Sequence, residues 1–398
     1  MALHGSVAAL FLGAFGTSCG LVNQEETGPI TIGISLPLSG PVADSSKPAY
    51  AGYKVWAEQV NKKDGLLGRK VKLKVLDDGF DEGRVVSNYR RLIHDEHVDL
   101  LLGTVSSKLN LPASSVAEQA KMLYVEPSGG ADEIFNRGYN YLFFAQPGTS
   151  VDVPEGLVEW VRQLPKTQRP RTAAYPVQND PNLNATVEQT RKELSSLGVR
   201  TVYTDTYAPE TRDFSGIAQD IAAAAPDLIV HGAVSAEDGG GLIKALQGQG
   251  FNPKLIFQTN APSLTDVYPK AVGGEANTAG IFTSLAWNPQ GQGSKDFIDA
   301  YERKYGEPPE DDAASAYTAG QVLASAVWNV GSLDQEKLSH WLHQHSVPTV
   351  SGVLHWDKRG VPEGDFMLAQ WQKGKLEIIS PEELRTTSKA LYPKPDWS

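Results

Sequence analysis

The chain has a single cysteine, Cys19, so no intramolecular disulfide can form, and no thiol is left in the body of the protein for cysteine catalysis. It has no long Lys/Arg run and no basic stripe, and its net charge is −11, so nothing recommends nucleic acid as a partner. It has no low-complexity tract, short repeat or long linker. Reactive-site motifs are missing as well. There is no Gly-x-Ser-x-Gly elbow and no Walker loop. Gly239-Gly240-Gly241 runs into Leu242 and fails the spacing of a dinucleotide loop. No cofactor is implied, and an enzyme is not the expectation.

Beyond the first residues no apolar run is long enough to cross a bilayer. The run over residues 7–15 is about half of what a span needs. It leads into Gly16-Thr17-Ser18-Cys19-Gly20 and then a polar stretch. A short apolar core followed by small residues has the form of an export signal. With a cysteine straight after, it looks like a lipoprotein signal that makes Cys19 the lipidated first residue. A disordered N-terminus with a chance cysteine is the alternative. Residues 1–27 are read as leader and tether.

What remains has an ordinary composition, with 40% hydrophobic and 21% charged residues. A chain of 398 residues exceeds one comfortable core, so two lobes are expected. From Ile30 onward, strand-like and helix-like segments alternate. Ala49, Tyr53, Trp56 and Val60 lie on one helical face that Gly65 ends. Val71, Leu73 and Val75 alternate with lysines, which predicts a half-exposed strand. Buried-type strands follow at residues 98–102, 122–125 and 141–145. The rhythm repeats through strands at 172–177, 199–203, 228–230 and 255–257, with helices between. Such alternation gives parallel sheets covered by helices, an α/β fold. After Trp287 a block of helices intervenes, and residues 353–356 and 366–371 read as an antiparallel pair around Lys358-Arg359-Gly360.

Two clusters have the residue types of a metal or acid–base site. His340, His343 and His345 fall within six residues, and a solvated helix end is the favoured reading over a metal site. Asp77-Asp78 ends a strand, where capping and turn roles are favoured over chemistry.

Ile32 to Gly40 (IGISLPLSG), Gly52, Asn61 to Gly68 (NKKDGLLG), Asp77-Asp78, Gly103 to Pro112 (GTVSSKLNLP), Pro127-Ser128, Tyr317 and Gly352 to Asp357 (GVLHWD) occur in an order that resembles the branched-chain amino-acid binding proteins of ABC transporters. The resemblance runs from about Ile30 to the C-terminus. It implies the type I periplasmic-binding-protein fold: two lobes, each a mainly parallel sheet flanked by helices, with three crossovers near residues 146–149, 283–285 and 349–352. One lobe would comprise residues 28–146 and 285–349, the other 147–284 and 350–398. It implies a monomer outside the cytoplasm that hands a small solute to permease subunits and touches the membrane only through the lipid on Cys19.

By the same resemblance Ser107 falls on a carboxylate-binding serine, and Ser128 and Gly129 on a backbone stretch that grips the ligand. Gly130 stands where the family has a threonine, and Asn260 where it has a glutamate facing the ligand ammonium. Ser45 and Val234 stand at positions that are often aromatic. Phe80 and Ser106 replace the family's disulfide pair. Loss of a charged partner for a buried ammonium costs about 2–5 kcal/mol, which argues against a plain branched-chain amino acid. Glu126, Glu237 or Asp238 could restore a negative partner. Independently of the resemblance, Ser106-Ser107, Ser128-Gly129-Gly130 and Gln258-Thr259-Asn260 each follow a predicted parallel strand, where open α/β sheets bind ligands. Tyr175 and Trp287 are candidates either for stacking on the solute or for the core. The expected function is capture of a small polar solute by hinge closure. A sensor of the same fold and a secreted hydrolase are the rivals.

Overall fold

The computed structural model describes residues 28–40, 42–291 and 293–397, apart from the side chains of Asp44 and Ser45. Cys19 and the leader lie outside the described residues.

The first half follows the alternation of the sequence. It comprises β1 (Ile30–Leu36), α1 (Ala43–Lys62), β2 (Val71–Asp77), α2 (Glu82–His94), β3 (Leu100–Leu102), α3 (Ser107–Gln119), β4 (Tyr124–Glu126), α4 (Asp132–Phe135) and β5 (Leu142–Phe144). The strands pair in parallel in the order β2-β1-β3-β4-β5. β3, β4 and β5 are buried along their whole length, as sheets covered on both faces require. β2 is the edge strand, and it carries the alternating lysines.

The second unit adds α5 (Glu155–Gln163), β6 (Thr172–Gln178), α6 (Pro181–Ser196), β7 (Arg200–Tyr207), α7 (Ser215–Ala224), β8 (Leu228–His231), α8 (Ala236–Gly248), β9 (Leu255–Gln258), α9 (Tyr268–Ala271) and β10 (Ile281–Leu285). Its seven-stranded sheet runs β14-β13-β10-β9-β8-β6-β7. The strands are parallel except for β13 (Met367–Gln372) and β14 (Lys375–Ser380), which close it as an antiparallel edge. Between β10 and β13 lie α10 (Ser294–Tyr305), α11 (Asp311–Val330), α12 (Gln335–Leu342) and the pair β11 (Val347–Thr349) and β12 (Gly352–Leu354). These elements pack on the first sheet.

The expected pairing of residues 353–356 with 366–371 does not form. β12 pairs with β11, and β13 pairs with β10 and β14. The cause is Trp356, which is buried in the first core with its indole N–H donating to Phe144 O at 2.7 Å. Asp357 then closes a tight turn by accepting from the N–H groups of Arg359 and Val361, so the chain enters the second sheet only after Val361.

The chain passes between the units three times, and the first passage, residues 145–154, is bonded to the other two. Ser284 Oγ at the end of β10 donates to Val153 O at 2.8 Å, and Gly364 N donates to Pro147 O at 3.0 Å.

α1 and α11 run side by side at a separation that only glycine permits. A methyl on Gly52 would lie 2.1 Å from Ala313 O, and one on Gly320 would lie 2.3 Å from the Trp56 ring. Gly320→Ala and Gly52→Ala are each expected to lower stability by about 1–3 kcal/mol. Gly216→Ala on α7, where nothing lies within 4 Å, should be neutral or slightly stabilising. Urea unfolding of the three variants checks the contrast.

Candidate functional site

The first wall is built by the loops that follow β3 and β4. Ser106 enters α3 with φ at 68°, a setting that costs a non-glycine residue of order 1 kcal/mol or more. Gly129 (φ 97°) lets the other loop come close, since a Cβ there would sit 2.5 Å from Ser107 N. Asn110, in the second turn of α3, holds the arrangement. Its amide donates to Thr104 O (3.1 Å), Ser106 O (3.1 Å) and Ser128 O (2.7 Å), and its carbonyl accepts from Tyr124 OH at 2.7 Å. Ser107 is buried, and its Oγ accepts from Ala131 N at 3.1 Å. Ser128 and Gly129 are half-buried, and Gly130 is buried.

Behind this wall Thr104 Oγ1, Ser106 Oγ and both oxygens of Glu126 are buried without a hydrogen-bond partner among the described residues. Burial pushes the Glu126 carboxyl well above the usual range, against a weak opposing pull from Arg137.

The second wall follows β8 and β9. Asn260 is exposed there, and no side-chain bond to protein is found for it among the described residues. Beneath it five side chains form one directed chain. Tyr268 OH donates to Gln258 Oε1 (2.5 Å), and Gln258 Nε2 donates to Gly239 O (2.9 Å) and to His231 Nδ1 (2.8 Å). His231 Nε2 and Tyr207 OH lie 2.6 Å apart, and Tyr207 OH donates to Asp238 Oδ1 at 2.7 Å. With Nδ1 accepting, His231 carries its proton on Nε2, and every donor points toward Asp238, which ends the chain as an acceptor. Asp238 Oδ2 in turn accepts from Val234 N at 3.2 Å. Burial lowers the His231 pKa to about 3, which keeps the ring neutral. Burial, opposed by the Tyr207 bond, raises Asp238 to about 6.

The first wall is tied to α6, the helix after β6, at Ser150. Its N–H donates to Gly130 O at 2.7 Å, its carbonyl accepts from Thr186 Oγ1 at 2.9 Å, and its hydroxyl bonds Asn182 in the first turn of α6. The strand ends of both sheets therefore converge on one residue of the first passage.

The other expected residues fall elsewhere. Tyr175 is 2% and Trp287 3% exposed. Tyr175 packs in the core beneath α5 and α6, and Trp287 packs edge-on against Phe297 with its N–H on Ser294 Oγ at 2.9 Å. For both, this is the packing role rather than the stacking one. The Ser45 side chain lies outside the described residues. Of the three acids that could face a cation, Asp238 is committed to its network, Glu126 is buried with its carboxyl pushed well above the usual range, and Glu237 is exposed at the start of α8. Asp77 Oδ1 holds the loop after β1 by accepting from Leu38 N and Ser39 N, and Asp78 accepts from Ser35 Oγ at 2.8 Å, which are turn-fixing roles. His345 stacks on Trp341, and His343 lies against Phe143.

Sequence reasoning missed Asn110, Ser150 and the His231–Tyr207 chain. Asn110 was legible in principle as an amide between Leu109 and Leu111 on the helix that follows β3.

The periplasmic binding protein family model matches residues 29–375. A Leu/Ile/Val-binding protein homolog 7 of Brucella suis is 28% identical, covering 95% of each chain. A Pseudomonas aeruginosa amino acid binding protein is 25% identical over 88% of this chain and 92% of its own length. Among solved structures, the Streptococcus pneumoniae branched-chain amino acid transporter substrate binding protein LivJ, in complex with isoleucine, superposes with TM-score 0.78. It is 18% identical and covers 89% of this chain and 100% of that one. A solute binding protein of an R. palustris ABC transporter, in complex with benzoate, superposes with TM-score 0.76 at 19% identity, over 88% of this chain and 96% of its own.

Two outcomes follow from the buried networks. Asn110→Ala strips Thr104 O, Ser128 O and the Tyr124 hydroxyl of their side-chain partner while Ser106 O keeps its bond from the backbone N–H of residue 110, and chemical denaturation should show a loss of about 2–4 kcal/mol. The pH response is set by two opposed groups. His231, depressed when folded, adds stability above about pH 6.5 that is lost toward pH 3. Asp238, raised when folded, adds stability at low pH that is lost as pH rises from about 4 to 6. Asp238→Asn removes only the second contribution. Its stability relative to the parent should therefore rise by about 2–3 kcal/mol between pH 4 and pH 6, measured by urea unfolding across that range.

Proposed function

The chain belongs to the periplasmic binding protein family, and from that premise we propose that it is the extracytoplasmic solute-binding component of an ABC importer. It captures a small polar solute, and the closed form is read by permease subunits. The observation that supports this reading is the convergence of strand carboxyl ends from both sheets on Ser150, within a bundle of three bonded passages. A solute held between Ser107, Ser128 and Asn260 gains contacts in the closed state that the open state lacks. That difference in affinity drives closure. The solute is bound without turnover.

The solute class is an amino acid, amino-acid derivative, amide or related organic acid. The relatives carry Leu/Ile/Val-binding and amino acid binding names, and the structural neighbours hold isoleucine or benzoate. Asn260 offers one amide donor pair and one carbonyl acceptor, and no charge. A neutral hydrogen-bonding group on the solute therefore suits this wall better than an ammonium. Cys19 carries the lipid that keeps the protein at the outer face of the membrane.

A thermal-shift screen against amino acids, amides, ureas, polyols and aromatic acids tests the reading. A true ligand at 100 times its dissociation constant stabilises the fold by about 2.7 kcal/mol, and Asn260→Ala should abolish the shift without lowering the unliganded melting temperature. A folded protein that no small solute stabilises would overturn solute delivery. Separately, Cys19→Ser should move the protein from the membrane fraction to the soluble extracytoplasmic fraction.

A further inference from the structure

The first lobe has a second surface of distinct chemistry at the end opposite the strand-end loops. The described chain begins there, since Gly28 O accepts from Arg69 Nε at 2.7 Å and Ile30 N donates to Lys70 O at 2.8 Å. The loop between α1 and β2 exposes Leu67, and Trp328, 47% exposed, lies against the same loop with its N–H on Gly65 O at 3.2 Å. Two of the six exposed large hydrophobic side chains among the described residues thus flank one loop.

Cations surround them. Lys62 ends α1 and Lys63 follows it, and Lys70 and Lys72 stand on either side of Val71, the first residue of the edge strand β2, all four exposed. A groove of about 340 Å³ between α1 and α10 adjoins this loop, lined by Lys62, Arg303 and Lys304 with Glu58 as its acid. Glu58 is already paired with Lys304. No carboxylate among the described residues pairs with Lys62, Lys63, Lys72 or Arg303. Asp64 is the exposed acid of the loop. A cationic groove beside an exposed Trp and Leu is unusual on a chain of net charge −11. It has the make-up of a surface that sits at a lipid interface, where basic side chains meet anionic headgroups and Trp and Leu enter the boundary.

We propose that this end of the first lobe docks on an anionic phospholipid bilayer, with headgroup phosphates in the Lys62–Arg303 groove and with Trp328 and Leu67 at the interface. The inference draws on the anchoring part of the proposed function for proximity. Eight residues lie between Cys19 and Gly28, and the nine steps from one to the other reach at most about 30 Å when extended. A lipid on Cys19 therefore keeps this face near the bilayer. Docking in this pose turns the strand-end loops away from the bilayer when the protein waits for solute.

The test uses the full chain with Cys19→Ser, so that no lipid contributes, against vesicles of 30% phosphatidylglycerol in phosphatidylcholine and against pure phosphatidylcholine. The parent should co-sediment with the anionic vesicles only, and 0.5 M salt should release it. Lys62→Glu/Lys63→Glu/Arg303→Glu should lower partitioning at least about a hundredfold, since each basic residue near such a surface contributes roughly fivefold. Its response to solutes should be unchanged, and its melting temperature should fall only slightly, because two acids at the C-terminal end of α1 oppose the helix dipole. Emission should shift to the blue with anionic vesicles, and Trp328→Phe should remove that shift. If the triple variant sediments like the parent, or if the parent binds both vesicle types equally, the docking surface is wrong. That failure would leave solute capture untouched, because none of these residues lies in the strand-end loops.

Discussion

The three passages between the two units are tied to one another by residues 145–154. This segment leaves one sheet and enters the other, and its backbone is bonded in three directions. Pro147 O takes the third passage through Gly364, Val153 O takes the second through Ser284, and Ser150 joins the loop after β4 to the first turn of α6. A backbone crossing between two cores cannot leave its polar groups unpaired. The three passages satisfy one another, which forms a narrow hydrogen-bonded bundle rather than a broad apolar interface. Narrowness suits rotation, because a bundle of few residues can change its dihedral angles without disturbing either core.

Beside that bundle each wall is fixed by a buried polar device, and the two devices differ in kind. On the first wall a single amide, Asn110, ties together three loop carbonyls and a tyrosine. On the second a directed chain from Tyr268 to Asp238 ends on the N–H of Val234. Both are satisfied inside the protein, so they position backbone and compete with no solute. What they leave uncommitted at the strand ends includes the half-buried Ser128, the exposed Asn260 and Glu237, and the buried hydroxyls of Thr104 and Ser106.

Much of this architecture was legible in the periodicity. The lysine alternation of β2, the buried runs of β3 and β4, and the glycine that ends α1 each fix an element locally. Partner choice was less accessible. Residues 353–356 and 366–371 both have strand character, but what decides their pairing is Trp356 reaching Phe144 O across the fold, which no local pattern contains. β10 is a five-residue run with one half-buried position and reads equally as a passage. Tyr175 could have been placed by parity alone. It shares a face of β6 with Ala173 and Val177, beneath the helices, while Ala174 faces the other core. At the site, the strand-end clusters were visible as small polar runs. The residues that hold them were not, because Asn110 and His231 act through partners far away in sequence.

The electrostatics of the cleft bear on what it holds. A buried ammonium needs a charge that is present at neutral pH and free to turn toward it. Glu126 is buried without partners, and burial raises its carboxyl well above the usual range, which disfavours the charged form. Asp238 is an ionised acceptor above about pH 6, yet both of its oxygens are already engaged. Asn260 stands at the remaining position with an uncharged amide. The acid that is both exposed and uncommitted is Glu237, one residue from Asp238 on the first turn of α8. There the helix N-terminus already stabilises a negative charge, which weakens its pull on a cation. The strand-end surfaces thus present hydrogen-bonding groups and little net charge. On the proposed function, such surfaces suit a solute whose polarity is carried by amide, hydroxyl or carboxyl groups, with Asn260 offering hydrogen bonds in both directions.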